Sequence, residues 1–413
     1  MDSLINTNCG RYIIIYICCC FTTLLSAQND IRDYTEIDTI LSFPNETYRP
    51  NSFVATTWNN YFLFTNYNIN NKNDSIYFYR IRLNDFKIDT FYYCLNGINN
   101  FLREIKSRYF NSIAYNGEYL ALSVYNQLII FKIIDTNFSL NIIKIITLKT
   151  SYNDMVMWID KNKILLCDLY YSHKPPTLLT IFDIDQERIV REIQPYYNHV
   201  LWQYYPALHA IDYRNGEILF PHRSEYSLIV YDTLFQKKDS IYRNKGNWES
   251  LSSQTILYIQ KKFKKNAAAD IMGYLKKYFL HTDHLWEIYF LNDNQFMTIC
   301  LPHSKPNQNH RYQFDIWDKK DNSWEITLSD IEDHLYGEFK YVNNTLTKNS
   351  FPLGILSGNK LYISDQYFIV LQYNGTDRNP IGLTKEEYIN YQNEYFTQKA
   401  ACIQLFFYKY NFK

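Results

Sequence analysis

The sequence of 413 residues is poor in the residues that shape tight backbone and crosslink small domains, with 11 glycines, 11 prolines and 8 cysteines. Phosphate-cradling loops need glycine so that the backbone can approach the ligand. This chain holds no GxGxxG, no P-loop, no GxSxG and no HExxH. The local signatures of dinucleotide, nucleoside-triphosphate, serine-hydrolase and zincin chemistry are therefore excluded. A site assembled from distant segments is not, because separation in space decides such roles. An excess of one charge is also missing: 42 Lys and Arg balance 42 Asp and Glu. A general nucleic-acid binder would carry a basic footprint, so nucleic acid is not an expected partner.

Long apolar runs are confined to the first 27 residues. Arg11 precedes "YIIIYICCCFTTLLS", which ends at the small residue Ala27 and the polar "QND". A basic start, an apolar core of about 15 residues and a small final residue describe a secretory signal peptide, with cleavage after Ala27. Crossing a bilayer takes about 20 apolar residues, so no transmembrane anchor is expected after cleavage. Lipid attachment is the weaker reading, because Ile17, Cys18 and Cys19 stand where a lipobox wants a small residue. Residues 28–413 are then one exported domain, bound for the periplasm, cell surface or medium. Its cysteines, Cys94, Cys167, Cys300 and Cys402, each sit in an apolar run without CxxC spacing and read as buried free thiols.

What the chain has in abundance is aromatics: 40 Tyr, 27 Phe and 7 Trp. Aromatic and β-branched residues favour half-buried pleated surfaces, so the composition leans towards sheet. A repeat organises it. An apolar run ending in an aromatic residue and then a charge recurs as "SIYFYR", "LIIFK", "LTIFD", "LIVYD", "FDIWD" and "LFFYK", at intervals of 52, 51, 49, 86 and 91 residues. Before each lies a polar turn between two apolar runs: Asn59-Asn60, Asn116-Gly117, Lys161-Asn162, Asn215-Gly216, Asp293-Asn294 and Gly358-Asn359. Asn and Gly tolerate the positive φ of tight hairpins. Roughly four strands per period of about 50 residues is the cadence of a β-propeller blade. The expected fold is all-β, a six-bladed β-propeller with helical insertions in or near blades five and six. "IDTI" (Ile37 to Ile40) resembles "IDTF" and "KDSI" in fourth-strand places, so a strand near 34–42 is expected to close the ring. Residues 250–280 and 384–399 are expected to be helical, the second opening with the capping-box pair Thr384 and Glu387. The third strand of blade six is placed at Leu405 to Tyr408, with Tyr367 to Tyr373 as the alternative.

The leader, the six-fold cadence and runs such as "YSLIVYD" make the chain resemble the six-bladed propeller proteins exported by Bacteroidetes. That resemblance implies the fold and export, and no particular activity.

The candidate site follows from "LFPHRSEYSLIVYD", where His222, Arg223, Ser224 and Glu225 stand between the second and third strands of blade four. The same link holds His173 in blade three, and His303, His310 and Arg311 in blade five; the connector into blade five carries His284 in "HTDH". If these loops share one face, His173, His222, His284 and His303 could hold a divalent metal ion as cofactor. Arg223, Glu225 and Arg311, with Trp202 and Tyr204 from the run entering blade four, would contact a ligand. The plainer reading is polar hairpin tips that do not converge. Recognition of an unknown glycan, peptide or protein ligand on that loop face is the expected function. The alternatives are a metal-assisted lyase or hydrolase acting on glycans or peptides, and a structural part of an envelope assembly.

Overall fold

The computed structural model describes residues 30–44, 53–66, 75–94, 112–124, 126–135, 139–148, 155–167, 179–193, 211–222, 226–243, 248–249, 252, 254–255, 258, 283–302, 309–321, 323–332, 338–340, 360–374 and 402–412. The described chain is all-β. A 3-10 turn, Ile31–Asp33, is capped by Asp30, and β1 follows at Thr35–Pro44. Four strands then succeed one another as a hairpin meander: β2 (Phe53–Trp58), β3 (Tyr61–Asn66), β4 (Ser75–Arg82) and β5 (Ile88–Cys94). The pattern recurs in β6 (Ser112–Tyr115), β7 (Tyr119–Val124), β8 (Gln127–Ile134) and β9 (Ser139–Thr147). It recurs again in β10 (Met155–Asp160), β11 (Lys163–Cys167), β12 (Leu179–Asp183) and β13 (Arg188–Ile193). The next group is β14 (Asp212–Arg214), β15 (Glu217–His222), β16 (Ser227–Tyr231) and β17 (Lys237–Tyr242). A fifth comprises β18 (His284–Asn292), β19 (Gln295–Leu301), β21 (Gln313–Lys320) and β22 (Ser323–Glu332), with a ribbon of β20 (Asn309–Arg311) and β23 (Glu338–Lys340) inserted. The last group takes β24 (Lys360–Ile363), β25 (Tyr367–Asn374) and β26 (Cys402–Tyr410), and its fourth strand is β1. A single parallel bridge, Tyr92 to Ser139, joins the first two groups into one eight-stranded sheet.

Local chemistry explains the hairpins. Asn59 and Asn215 adopt φ of 47° and 49°, and Gly216 follows Asn215 at 82°, the pair of positive angles that a two-residue hairpin demands. The aromatic end of the third strand then folds back onto that first turn: Leu83, Ile133, Ile184 and Lys319 donate their N–H to the carbonyls of Asn60, Glu118, Asn162 and Asn294. In four groups the register shifts at the aromatic itself, at Phe131, Phe182, Tyr231 and Trp317. Such a bulge sharpens the strand's twist as it enters the fourth strand. The turn and the aromatic-charge run are thus two ends of one hydrogen-bonded device.

The final group departs from the sequence reading at its turn. Gly358-Asn359 lies outside the described residues, and the turn joining the first two strands is Ser364 to Gln366, where Ser364 Oγ accepts from the Tyr367 N–H at 3.0 Å. Tyr367–Asn374 is the second strand and Cys402–Tyr410 the third. Of 250–280 only Ser252, Gln254, Thr255 and Tyr258 are described, the last three in helical conformation, and 384–399 lies outside the described residues. Among the described residues no helix is long and apolar enough to cross a membrane.

Burial follows strand position. Every residue of β12 is buried, whereas β13 beside it is largely exposed. Second and third strands carry apolar residues on both faces, so neighbouring groups must cover them. One cluster joins the first group to the second through Leu63, Phe78, Leu122 and Phe131. Another joins the second to the third through Ile130, Leu128, Ile164 and Phe182. Leu219, Leu228, Phe296 and Trp317 join the fourth to the fifth. Phe53, Phe62 and Phe64 pack on Ile369, Leu405 and Phe407, joining the first group to the last. The first strands also meet: Thr57 Oγ1 donates to the Ile363 carbonyl at 2.7 Å, and Tyr213 donates to that of Ile159 at 2.9 Å.

The interior is rich in phenols. Burial raises Tyr79, Tyr115, Tyr213, Tyr226, Tyr362 and Tyr410 above the usual tyrosine range. Tyr367, buried and donating to Asp38 on β1 at 2.7 Å, is pushed up to about 12. In the unfolded chain tyrosines ionise near pH 10. A raised folded value means that the unfolded state releases its protons first, so this contribution to stability is whole below about pH 10 and lost as pH rises through the folded values. The urea midpoint is therefore expected to fall steeply above about pH 10. Phenolate absorbance should rise in two stages, the second coinciding with loss of the strand circular dichroism. One smooth titration with the strands intact would contradict this burial.

Candidate functional site

A pocket of about 500 Å³ opens at the turns that join first to second strands, lined by Trp58, Asn116, Glu118, Tyr119, Trp158, Ile159, Asp160 and Lys161. Trp58 ends the first strand of its group, and Trp158 stands two residues before the end of β10. Between them lies the turn of the second group. Trp158 Nε1 donates to the Ala114 carbonyl at 3.2 Å, which brings the third group's ring over the second group's strand. The Trp158 and Tyr119 rings lie 6.2 Å apart, tilted by 38°.

Trp58 is seated by a chain of contacts that starts deep in the first group. Arg80 bonds Asp89 at 2.8 Å and Asp135 at 2.9 Å, and lies over the rings of Tyr61 and Phe91. Its Nη1 donates to the Tyr115 hydroxyl at 3.2 Å, and that hydroxyl donates to the Gly117 carbonyl at 2.8 Å. Trp58 meets Tyr115 edge-on at 5.4 Å. Gly117 itself has φ of +95°, and a Cβ there would come within 2.4 Å of Trp58 Cη2. Glycine is required twice, by the backbone angle and by the indole.

The rim is polar and internally paired. Asn116 Oδ1 accepts from the N–H groups of Glu118 and Tyr119 at 3.1 and 2.8 Å, an Asx turn that leaves the amide NH2 as a donor. The Tyr119 hydroxyl, ahead of the Lys132 ammonium 3.3 Å away, holds the exposed Glu118 carboxyl below the usual range. Asp160 accepts from the Lys161 N–H at 2.7 Å and lies 3.5 Å from Lys163 Nζ.

On the other half of the same turn set, Arg214 bonds Asp293 at 2.6 Å and holds both oxygens of Asp365 at 2.7 and 3.0 Å. Tyr410 adds a bond to the Ser364 carbonyl at 2.8 Å. The turns of the last three groups are thus tied together, and the pocket lies at those of the first three.

None of the residues expected from sequence lines this pocket as described. His173, Trp202, Tyr204, Arg223, Glu225 and His303 lie outside the described residues, and of His222 and Arg311 only the strand backbone is described. His284 opens β18, pairs in register with Leu301 and is buried at 4% exposure. Among the described residues no three His, Cys, Asp or Glu side chains are grouped to hold a metal.

Just past the tetrad, Tyr226 is buried, bonded to Thr298 and donating to Asp315 at 2.5 Å. Arg243 stacks on the Tyr226 ring and pairs with Asp315 at 3.1 Å and Asp330 at 2.5 Å. Cys167 and Cys300 are buried, and burial raises the Cys300 thiol well above its usual value, which keeps it unreactive. This network spends its groups on one another and locks the fourth group to the fifth. Sequence reasoning went to the histidines and passed over "TTWNN" and "MWIDKN", where an indole precedes a polar turn.

No family model matches the chain, and no curated protein matches it. Among solved structures it is similar to a DUF4221 family member from Bacteroides vulgatus, at 11% identity over 93% of this chain and 99% of that one, with a TM-score of 0.51. It is also similar to a Bacteroides fragilis protein named as exported, at 9% identity over 92% and 97% of the two chains, with a TM-score of 0.51. At these identities the likeness shows a shared fold.

Replacing Gly117 tests the seating of Trp58. Gly117→Ala is expected to cost about 1–3 kcal/mol, from the strained angle and the displaced indole, and to shift tryptophan emission. Gly216→Ala, with φ of +82° and nothing within 4 Å, should cost less and leave emission unchanged. A urea midpoint for Gly117→Ala at or above that of Gly216→Ala would contradict the placement.

Proposed function

We propose that the chain is an exported six-bladed β-propeller that binds a small ligand in the pocket between Trp58 and Trp158. The pocket carries the reading: its volume of about 500 Å³ lies within the range of ligand sites, with aromatic walls and a few polar groups. The ring is supported by six successive four-stranded groups, by apolar contacts between neighbours, and by the packing of the first group on the last. In this ring β1 closes the final blade, lying antiparallel to β26 from Thr35 opposite Tyr410 to Pro44 opposite Cys402. Rigid blades would hold the two indoles apart while turn residues vary around them. Export is supported by the leader-like stretch up to Ala27 and by the name of the Bacteroides fragilis neighbour.

A thermal-shift screen of chemically diverse small molecules tests this reading. A ligand at about 100 times its Kd adds about 2.7 kcal/mol to stability and raises the melting temperature. The expected result is a saturable rise that Trp58→Ala and Trp158→Ala each abolish. Hits that ignore both variants but disappear in Arg223→Ala, Glu225→Ala would move recognition to the loops between second and third strands.

A further inference from the structure

We infer that the ligand of this pocket is a neutral carbohydrate, an inference that rests on the ligand-binding reading above. Two indoles, Trp58 and Trp158, flank the polar turn that carries Asn116, Glu118 and Tyr119, so flat apolar surface alternates with hydrogen-bonding groups. A pyranose has the same alternation, with C–H groups on its faces and hydroxyls around its edge. The hydroxyls both donate and accept, which matches a rim offering carboxylate acceptors beside amide and ammonium donors.

Charge selects among ligand classes. Glu118 already has Lys132 at 3.3 Å, and Asp160 has Lys163 at 3.5 Å. Each carboxylate thus keeps its own cation, so the rim offers no unneutralised acidic pair for a quaternary ammonium. A phosphate or carboxylate ligand would meet the Glu118 and Asp160 oxygens along with Lys161. Hydroxyls meet no such penalty. Glu118, held ionised below the usual carboxylate range, remains an acceptor in mildly acidic surroundings.

The test is a titration of the purified protein, followed by tryptophan fluorescence. The probes are neutral oligosaccharides of glucose, xylose, mannose and N-acetylglucosamine, with a sialylated oligosaccharide and choline as charged probes. At least one neutral oligosaccharide should give a saturable change, weakened about tenfold or more by Trp158→Ala. Trp158→Phe keeps an aromatic face while giving up the bond to the Ala114 carbonyl, and should retain most of the affinity. Saturation by choline or the sialylated probe alone, still dependent on Trp158, would overturn the neutral-sugar class and leave the pocket standing. A sugar response that ignores both indoles would overturn the inference by placing the sugar elsewhere. Silence from every probe would overturn the sugar class if the thermal screen has a Trp158-dependent hit, and the pocket as well if it has none.

Discussion

Every group of strands in this chain has two apolar faces, and neither can be left in water. Leu165 and Ile164 are neighbours on β11 and point to opposite sides, yet both are buried, one in each of two separate clusters. A series of such sheets cannot end without exposing an apolar face at each end. Here the first group's outward face, Phe53, Phe62 and Phe64, is covered by Ile369, Leu405 and Phe407 of the last. Aromatic geometry reinforces that seam: Phe62 meets Phe407 edge-on at 6.4 Å, and Phe86 meets it at 5.1 Å. Contacts of this kind add about 0.5–1.5 kcal/mol each beyond the area they bury. The rest of the architecture follows from the need to satisfy both faces of every sheet.

That constraint also decides where function is free to sit. The faces of the inner strands are committed to packing and the fourth strands are more exposed, so variable chemistry is left to the turns and loops. At the turns joining first to second strands, the two halves of the molecule differ. Arg214 draws Asp293 and Asp365 together, while Trp58 and Trp158 stand on either side of the Asn116–Tyr119 turn and leave a hollow. The indoles are held by packing and a backbone bond, Trp58 against Gly117 and Trp158 to the Ala114 carbonyl.

Much of the strand pattern was legible because its signals are local. Asn215-Gly216 announces a hairpin by its own backbone preference, and the aromatic-charge runs mark third strands whose ends return to those turns. The sixth turn was misread for a local reason too. Gly358-Asn359 has the better turn composition, but Ser364 makes its turn with a side-chain oxygen, a signal that competes poorly on composition alone. The pocket was not legible, since Trp58 and Trp158 are 100 positions apart and line one hollow only across the second group's turn. Nothing in "SIAYNGEYL" tells that Gly117 is the seat of an indole from the neighbouring group of strands. His284 drew attention by residue type, and its burial at the start of β18 is a fact of packing that type does not carry.

The most direct test of the whole account is a crystal structure of the protein grown or soaked with a neutral oligosaccharide. The account predicts six blades around one axis, with β1 completing the last, and sugar density between Trp58 and Trp158 over the Asn116–Tyr119 turn. Density at the loops around His222 and His303, or a pocket filled by a Trp58 that has left Gly117, would contradict it.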